Sequence, residues 1–155
     1  MQKQALVVID IQNDITKNYK EIIDNINESI EWAAGNDIHV VYIRHENLSA
    51  GTRTFKPNTH GSELASDMKI VSKNVFTKSK GNALSSKEFA DFISNNEICD
   101  FYIAGADAAA CVKSTCYNLR KSNHGVTVLS DCITSYDKRK IDEMLRYYES
   151  NTNIQ

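Results

Sequence analysis

Proline occurs once in this chain, at Pro57, and no stretch is built from repeated proline, glycine or serine. That excludes a linker or low-complexity tract, and no internal repeat is visible either. Concentrated positive charge is also missing. The 18 Lys and Arg are spread among 20 Asp and Glu, for a formal net charge of -2. The electrostatic footprint of a nucleic-acid binder or a polybasic membrane binder is therefore absent. Apolar runs are short: Ala5 to Ile9 is only a strand's worth, too little for a membrane span or a signal-peptide core. The expectation is a cytoplasmic protein whose partner is a small molecule, with neither nucleic acid nor membrane. Paired cysteines are lacking too. Cys99, Cys111, Cys116 and Cys132 form no Cys-x-x-Cys pair, and no histidine follows at zinc-finger spacing. Disulfides are not expected in such a chain, so each cysteine is a small core hydrophobe or a reactive thiol.

What is present is enough for one domain, 1–155, with a substantial core. Periodicity switches repeatedly between strand-like runs and helical stripes. Strands are predicted at 5–11 (ALVVIDI), 38–44 (IHVVYIR), 73–78 (KNVFTK), 99–105 (CDFYIAG) and 126–131 (VTVLSD). Helices are predicted at 18–34, near 85–95, at 109–123 and at 137–149. The first carries Tyr19, Ile22, Ile23, Ile26 and Ile30 on one face, and the third Val112, Thr115, Cys116 and Leu119. Gly35 and Gly125 read as helix C-caps, and Ser85 or Ser86 as an N-cap. The polar stretch 45–69 is long for a compact domain, which points to function or to a short helix. Alternating strands and helices with buried β-branched strands predict an α/β protein. It would be a three-layer α/β/α sandwich around a doubly wound, mostly parallel sheet of five or six strands.

In that architecture ligands bind beyond the carboxyl ends of the strands. Asp10 ends the first strand, Lys78 the third, and "GADAAACVKST" (105–115) turns the chain from the fourth strand into a helix that starts near Cys111. A helix N-terminus and a nearby ammonium favour a thiolate, and a carboxylate can take a thiol proton and return it to a leaving amine. Cys116 lies on the apolar stripe and reads as core, Cys99 lies at the far end of its strand, and Cys132 follows the fifth strand. Each of the three residues alone has an ordinary explanation as turn acceptor, surface charge or packing. Their convergence on one sheet edge does not.

"ALVVIDIQND", "VVYIRH", "VFTKSKGNAL", "GADAAACVKSTCYNLR" and "VTVLSDCITS" resemble the isochorismatase-like cysteine hydrolases, in order and at family spacing from residue 5 to about 136. The resemblance implies Asp10 as general base, Lys78 as electrostatic partner and Cys111 as nucleophile. It implies a cis peptide at Ala106–Asp107, and backbone N–H groups of Asp107 and Cys111 as an oxyanion hole, with about 3 kcal/mol per donor. Arg44, His45 and Asn82 would line the substrate pocket. No cofactor is implied, and a homo-oligomer, dimer or larger, is.

Departures from the pattern narrow the reading. Leu84 stands where a Phe is common, and Ala108 near a common Thr. Nicotinamidase members carry an Asp-x-His and a further His as metal ligands after the second strand. Here that strand ends Arg44-His45-Glu46, and "DIH" at 37–39 sits at the opposite edge. A metal on His45 and His60 is disfavoured, so the expectation is a metal-independent hydrolase of a small amide or other C–N bond, acting through a thioester. The rival readings are a non-catalytic binding module on the same fold and a nucleotide binder. Against the latter, "GADAAAC" has one glycine where the dinucleotide fingerprint needs three.

Overall fold

The structure, a computed structural model, describes residues 3–155. In chain order the elements are β1 (Gln4–Ile9), α1 (Thr16–Gly35), β2 (His39–His45), β3 (Val75–Lys78), α2 (Lys87–Asn95), β4 (Asp100–Ala106), α3 (Cys111–Lys121), β5 (Gly125–Thr134), α4 (Ile141–Asn151) and β6 (Asn153–Ile154). The strands form one parallel sheet in the order β3-β2-β1-β4-β5-β6. β1 is central and its strand neighbours face it with apolar residues, so side chains alternate between two buried faces. Leu6, Val8, Val40 and Tyr42 pack against Ile22, Ile23, Ile26 and Ile30 of α1. Ala5, Val7, Ile9, Val41 and Ile43 face Phe89 and Ile93 of α2, Val112 and Cys116 of α3, and Met144 and Tyr148 of α4. This is the expected three-layer sandwich. The chain winds outward from β1 through β2 to β3, then returns to β4 on β1's other side. That reversal makes the ends of β1 and β4 the switch point of the sheet, where a doubly wound fold places its ligands.

Several details differ from the sequence expectations. Gly35 lies inside α1, and Gly125 begins β5; the left-handed residues that end α1 and α3 are Asp37 (φ 57°) and Asn123 (φ 66°). Short polar side chains tolerate that conformation by local hydrogen bonding, so glycine is not needed there. Ser86 is the N-cap of α2, its side chain accepting from Phe89 N. The segment 45–69 holds one 3-10 turn, His60–Ser62, and an isolated bridge of Leu64 to Gln12, and buries Ala65 and Met68 beside α1. β5 runs on to Thr134 across an irregularity in its pairing with β4. The sixth strand is the short β6, paired at Thr127 and Val128. Glycine is required at Gly105, where φ is +121° and a Cβ would lie 2.2 Å from the Ile9 carbonyl oxygen. β4 thus passes close over the end of β1, and that approach brings Asp10 toward the turn carrying Cys111.

Candidate active site

Asp10 is the first residue past β1. Its N–H still donates to Ile43 O of β2 (3.0 Å), while its φ of 56° turns the chain out of the sheet. Lys78 is the last residue of β3, and Cys111 the first of α3. Register carries the rest. β2 pairs His45 with Lys78, and both point to the face that holds Ile43 and Phe76. The result is a compact cluster around one ammonium. Lys78 Nζ donates to Asp10 Oδ2 (3.1 Å), contacts His45 Nδ1 (2.9 Å) and donates to Cys111 Sγ (3.5 Å). Its side chain is fully buried and that of Asp10 nearly so. An ammonium has three protons, and each here meets one acceptor.

The turn before α3 can be accounted for donor by donor. Ala108 N donates to Thr134 O (2.9 Å), Ala109 N to Asp107 Oδ1 (2.8 Å), and Ala110 N and Val112 N to Asp107 O (3.0 and 3.1 Å). Tyr136 N takes the other Asp107 carboxylate oxygen (2.8 Å), and the Tyr148 hydroxyl holds Ala108 O (2.5 Å). Among the described residues, the N–H groups of Asp107 and Cys111 are the two in this turn left without an acceptor in the chain. The Ala106–Asp107 peptide is cis.

Electrostatics revise one expectation. Burial pushes the Cys111 thiol up to about 12, and the Asp10 carboxylate reinforces this against the opposing Lys78 ammonium. Burial thus favours the thiol form of Cys111 over the thiolate that the helix start and ammonium suggest from sequence. Burial likewise raises Asp10, again opposed chiefly by Lys78, which makes its carboxylate a stronger base. Asp10 Oδ1 is buried with no hydrogen-bond partner, so it is free to receive a proton. His45 is held below the ordinary imidazole range by burial and then by Lys78.

Two of the sequence-assigned pocket residues do other work. Arg44 alternates to the α1 face of β2, where Nε and Nη2 hold Ser62 O (3.0 Å) and Ser62 Oγ (3.1 Å), and Nη1 holds Thr77 Oγ1 (3.2 Å). It is a strut for the loop, not a pocket residue, because strand alternation sends consecutive side chains to opposite faces. Asn82 Oδ1 closes its own turn by accepting from Leu84 N (2.9 Å). Cys132 does not approach the cluster; it is buried toward α1, 3.3 Å from Ser29 Oγ. Cys116 is core as expected, and Cys99 is exposed.

Other residues of the site are not marked in the sequence. Gln12, fully buried, accepts from His45 N (2.8 Å) and donates to His45 O (2.9 Å) and Ser62 O (2.8 Å), extending the sheet by a side chain. Asp14 holds Phe55 N (2.6 Å), and a Cβ on Gly61 would collide with its carboxylate. Phe55 lays its ring against His45, centroids 6.0 Å apart. Tyr19, readable only as helix stripe, has its hydroxyl pushed up chiefly by burial and then by the carboxylates Asp107 and Asp10. The polar run "QND" directly after a buried strand is the one signal that pointed here.

Asp10, His45 and Cys111 bring potential ligand atoms within 4.8 Å of one another, the one such cluster among the described residues. They do not fit a divalent ion: Lys78 Nζ is bonded to all three and already supplies the positive charge. His60, expected as the other possible ligand, is exposed and pairs with Glu63 (3.5 Å).

Fold and site together define an α/β protein with an acid, an ammonium and a thiol at the switch point of a parallel sheet. The isochorismatase domain model matches residues 4–154, and the chain belongs to that family. Solved structures with the same fold include an isochorismatase-like hydrolase from Alkaliphilus metalliredigens. It is 20% identical with a TM-score of 0.89, over 98% of this chain and 93% of that one. The zinc-complexed pyrazinamidase of Pyrococcus horikoshii is 20% identical (TM-score 0.87; 99% and 98% covered). The N-carbamoylsarcosine amidase of Thermoplasma acidophilum is 19% identical (0.86; 99% and 96%). No curated protein matches the sequence.

Proposed function

We propose that this protein is a metal-independent cysteine hydrolase that cleaves a small amide or related C–N bond through a thioester on Cys111. The observation that carries the reading is the single buried ammonium, Lys78, bonded at once to Asp10 and Cys111. The amidases among proteins of the same fold support the substrate class.

Asp10 Oδ1 takes the thiol proton as Sγ attacks the carbonyl carbon, so charge is not separated before the bond forms. The resting thiol fits this order: a buried thiolate would be costly, whereas proton transfer concerted with attack avoids it. The oxyanion receives the free N–H groups of Asp107 and Cys111. Collapse breaks the C–N bond, and Asp10 returns its proton to the departing amine. Water then gives a proton to Asp10 as its oxygen attacks the thioester. The second collapse expels the Cys111 sulfur, which recovers the proton from Asp10. The Lys78 ammonium opposes the rise that burial imposes on Asp10 and attracts the sulfur as it gains charge.

A screen of small primary amides read by ammonia release tests the reading, with Cys111→Ala as control. Turnover that vanishes in Cys111→Ala supports it. A hit that survives that substitution, or an active protein that accumulates no acyl adduct of Cys111 under acid quench, sinks it.

A further inference from the structure

We propose that His45 is a positioning residue, whose imidazole Nδ1 orients the Lys78 ammonium so that its two other N–H groups face Asp10 and Cys111. The inference rests on the hydrolase reading for what Lys78 does, and it replaces the expectation that His45 contacts substrate.

The chain of hydrogen bonds fixes every role without reference to hydrogen positions. An ammonium can only donate, so Nδ1, 2.9 Å from Lys78 Nζ, must accept. The ring proton therefore sits on Nε2 and donates to Asn47 Oδ1 at 2.9 Å. Asn47 cannot be flipped, because its Nδ2 is 2.9 Å from Thr54 O, a group that only accepts. Asn47 N also donates to Phe55 O (2.9 Å), closing the loop 47–55 on itself. Both ring nitrogens are thus committed, and neither is left to bind a substrate.

The ring is also held mechanically. Gln12 clamps the His45 backbone on both its N–H and its carbonyl, and the Phe55 ring packs against the imidazole. A lysine on four flexible carbons has no fixed donor direction of its own; three acceptors at fixed points impose one. With the Nδ1 acceptor gone, the ammonium keeps two partners and gains freedom to rotate away from Cys111. Protonating the ring has the same effect, since an Nδ1–H would face an N–H donor. The titratable or charged groups facing His45 are Asp10 from β1, Lys78 from β3 and Cys111 from α3. The 47–55 loop offers it only uncharged Asn47 and Phe55. Burial and Lys78 keep the ring neutral near neutral pH.

The experiment compares His45→Phe, which keeps a flat ring without an acceptor, with His45→Gln, which keeps a carbonyl oxygen. Both are made in a Cys99→Ser background so that the exposed thiol does not interfere. Cys111 alkylation by iodoacetamide is followed by peptide mapping, and kcat and KM are measured on the amide found above. His45→Phe should slow Cys111 alkylation about tenfold and lower kcat with little change in KM, and His45→Gln should recover most of both. The acid limb of the wild-type kcat profile should also lose a proton dependence in His45→Gln, whose side chain cannot titrate. That readout stands if the Phe variant does not fold. A raised KM with unchanged alkylation and an unchanged acid limb would overturn the inference in favour of a pocket-lining role. Lys78→Met is the reference. If it slows alkylation and His45→Phe does not, only the present inference fails; if neither does, the role of Lys78 fails with it.

Discussion

Replacing Lys78 by Met keeps most of the side-chain stem and removes the charge. From sequence, a lysine at a strand end is a solvated surface group whose loss costs little. The structure gives a different magnitude, because the Lys78 side chain is 0% exposed and its carboxylate partner 5%. Breaking a buried pair by removing one partner leaves the other charge uncompensated, at a cost of about 3–5 kcal/mol. Domains of this size are stable by about 5–15 kcal/mol, so the variant should fold but lose a large part of its margin. With a urea m-value of about 2 kcal/mol/M, the midpoint should fall by about 2 M. The sign of the pH dependence follows from Asp10. Its folded pKa is already raised by burial and rises further without the ammonium. The penalty is therefore full above that folded pKa, where the carboxylate is ionised, and shrinks as pH falls through it and a proton neutralises the group. Urea unfolding of wild type, Lys78→Met and Lys78→Met/Asp10→Asn at about pH 8 and pH 5 measures this. The double variant should be more stable than Lys78→Met at the higher pH. A Lys78→Met protein within about 0.5 kcal/mol of wild type at both pH values would mean that Asp10 and Lys78 do not form a buried pair.

Further outcomes follow from the same geometry. Asp10→Asn keeps the shape and removes the proton acceptor, so turnover should fall about 10²–10⁴-fold with the circular dichroism spectrum unchanged; near-normal turnover would make Asp10 structural. Activity should survive exhaustive chelation, and loss with EDTA followed by recovery with zinc would show that Lys78 gives way to a metal. In the resting protein Cys99, the exposed thiol, should be alkylated before Cys111, whose thiol is raised by burial, with Cys116 and Cys132 last; peptide mapping at limiting reagent reads the order. Gly105→Ala should be strongly destabilised in thermal unfolding, since its Cβ would overlap the Ile9 carbonyl and sit at a left-handed φ; an unchanged midpoint would show that β4 can move off β1.

The sequence by itself determined the sheet, the layers and the placing of Asp10, Lys78 and Cys111 at one sheet edge. Those depend on short-range rules. Val7, Val8 and Ile9 are apolar on both faces and can only be a buried strand, and the ends of such strands are where a doubly wound sheet exposes its ligands. The stripe of α3 separated Cys116 from Cys111 because helical spacing alone decides which side chains share a face. Tertiary structure decided whatever depends on partners distant in the chain. Gln12 holds His45 across 33 residues, and Asp14 holds Phe55 across 41. It turned Arg44 onto Ser62 and away from the site, and it enclosed Lys78 until all three of its protons were committed. It also set the balance between thiol and thiolate at Cys111. A helix start and a nearby lysine favour a thiolate, but desolvation acts through every atom packed around the sulfur, and only the folded chain supplies those atoms.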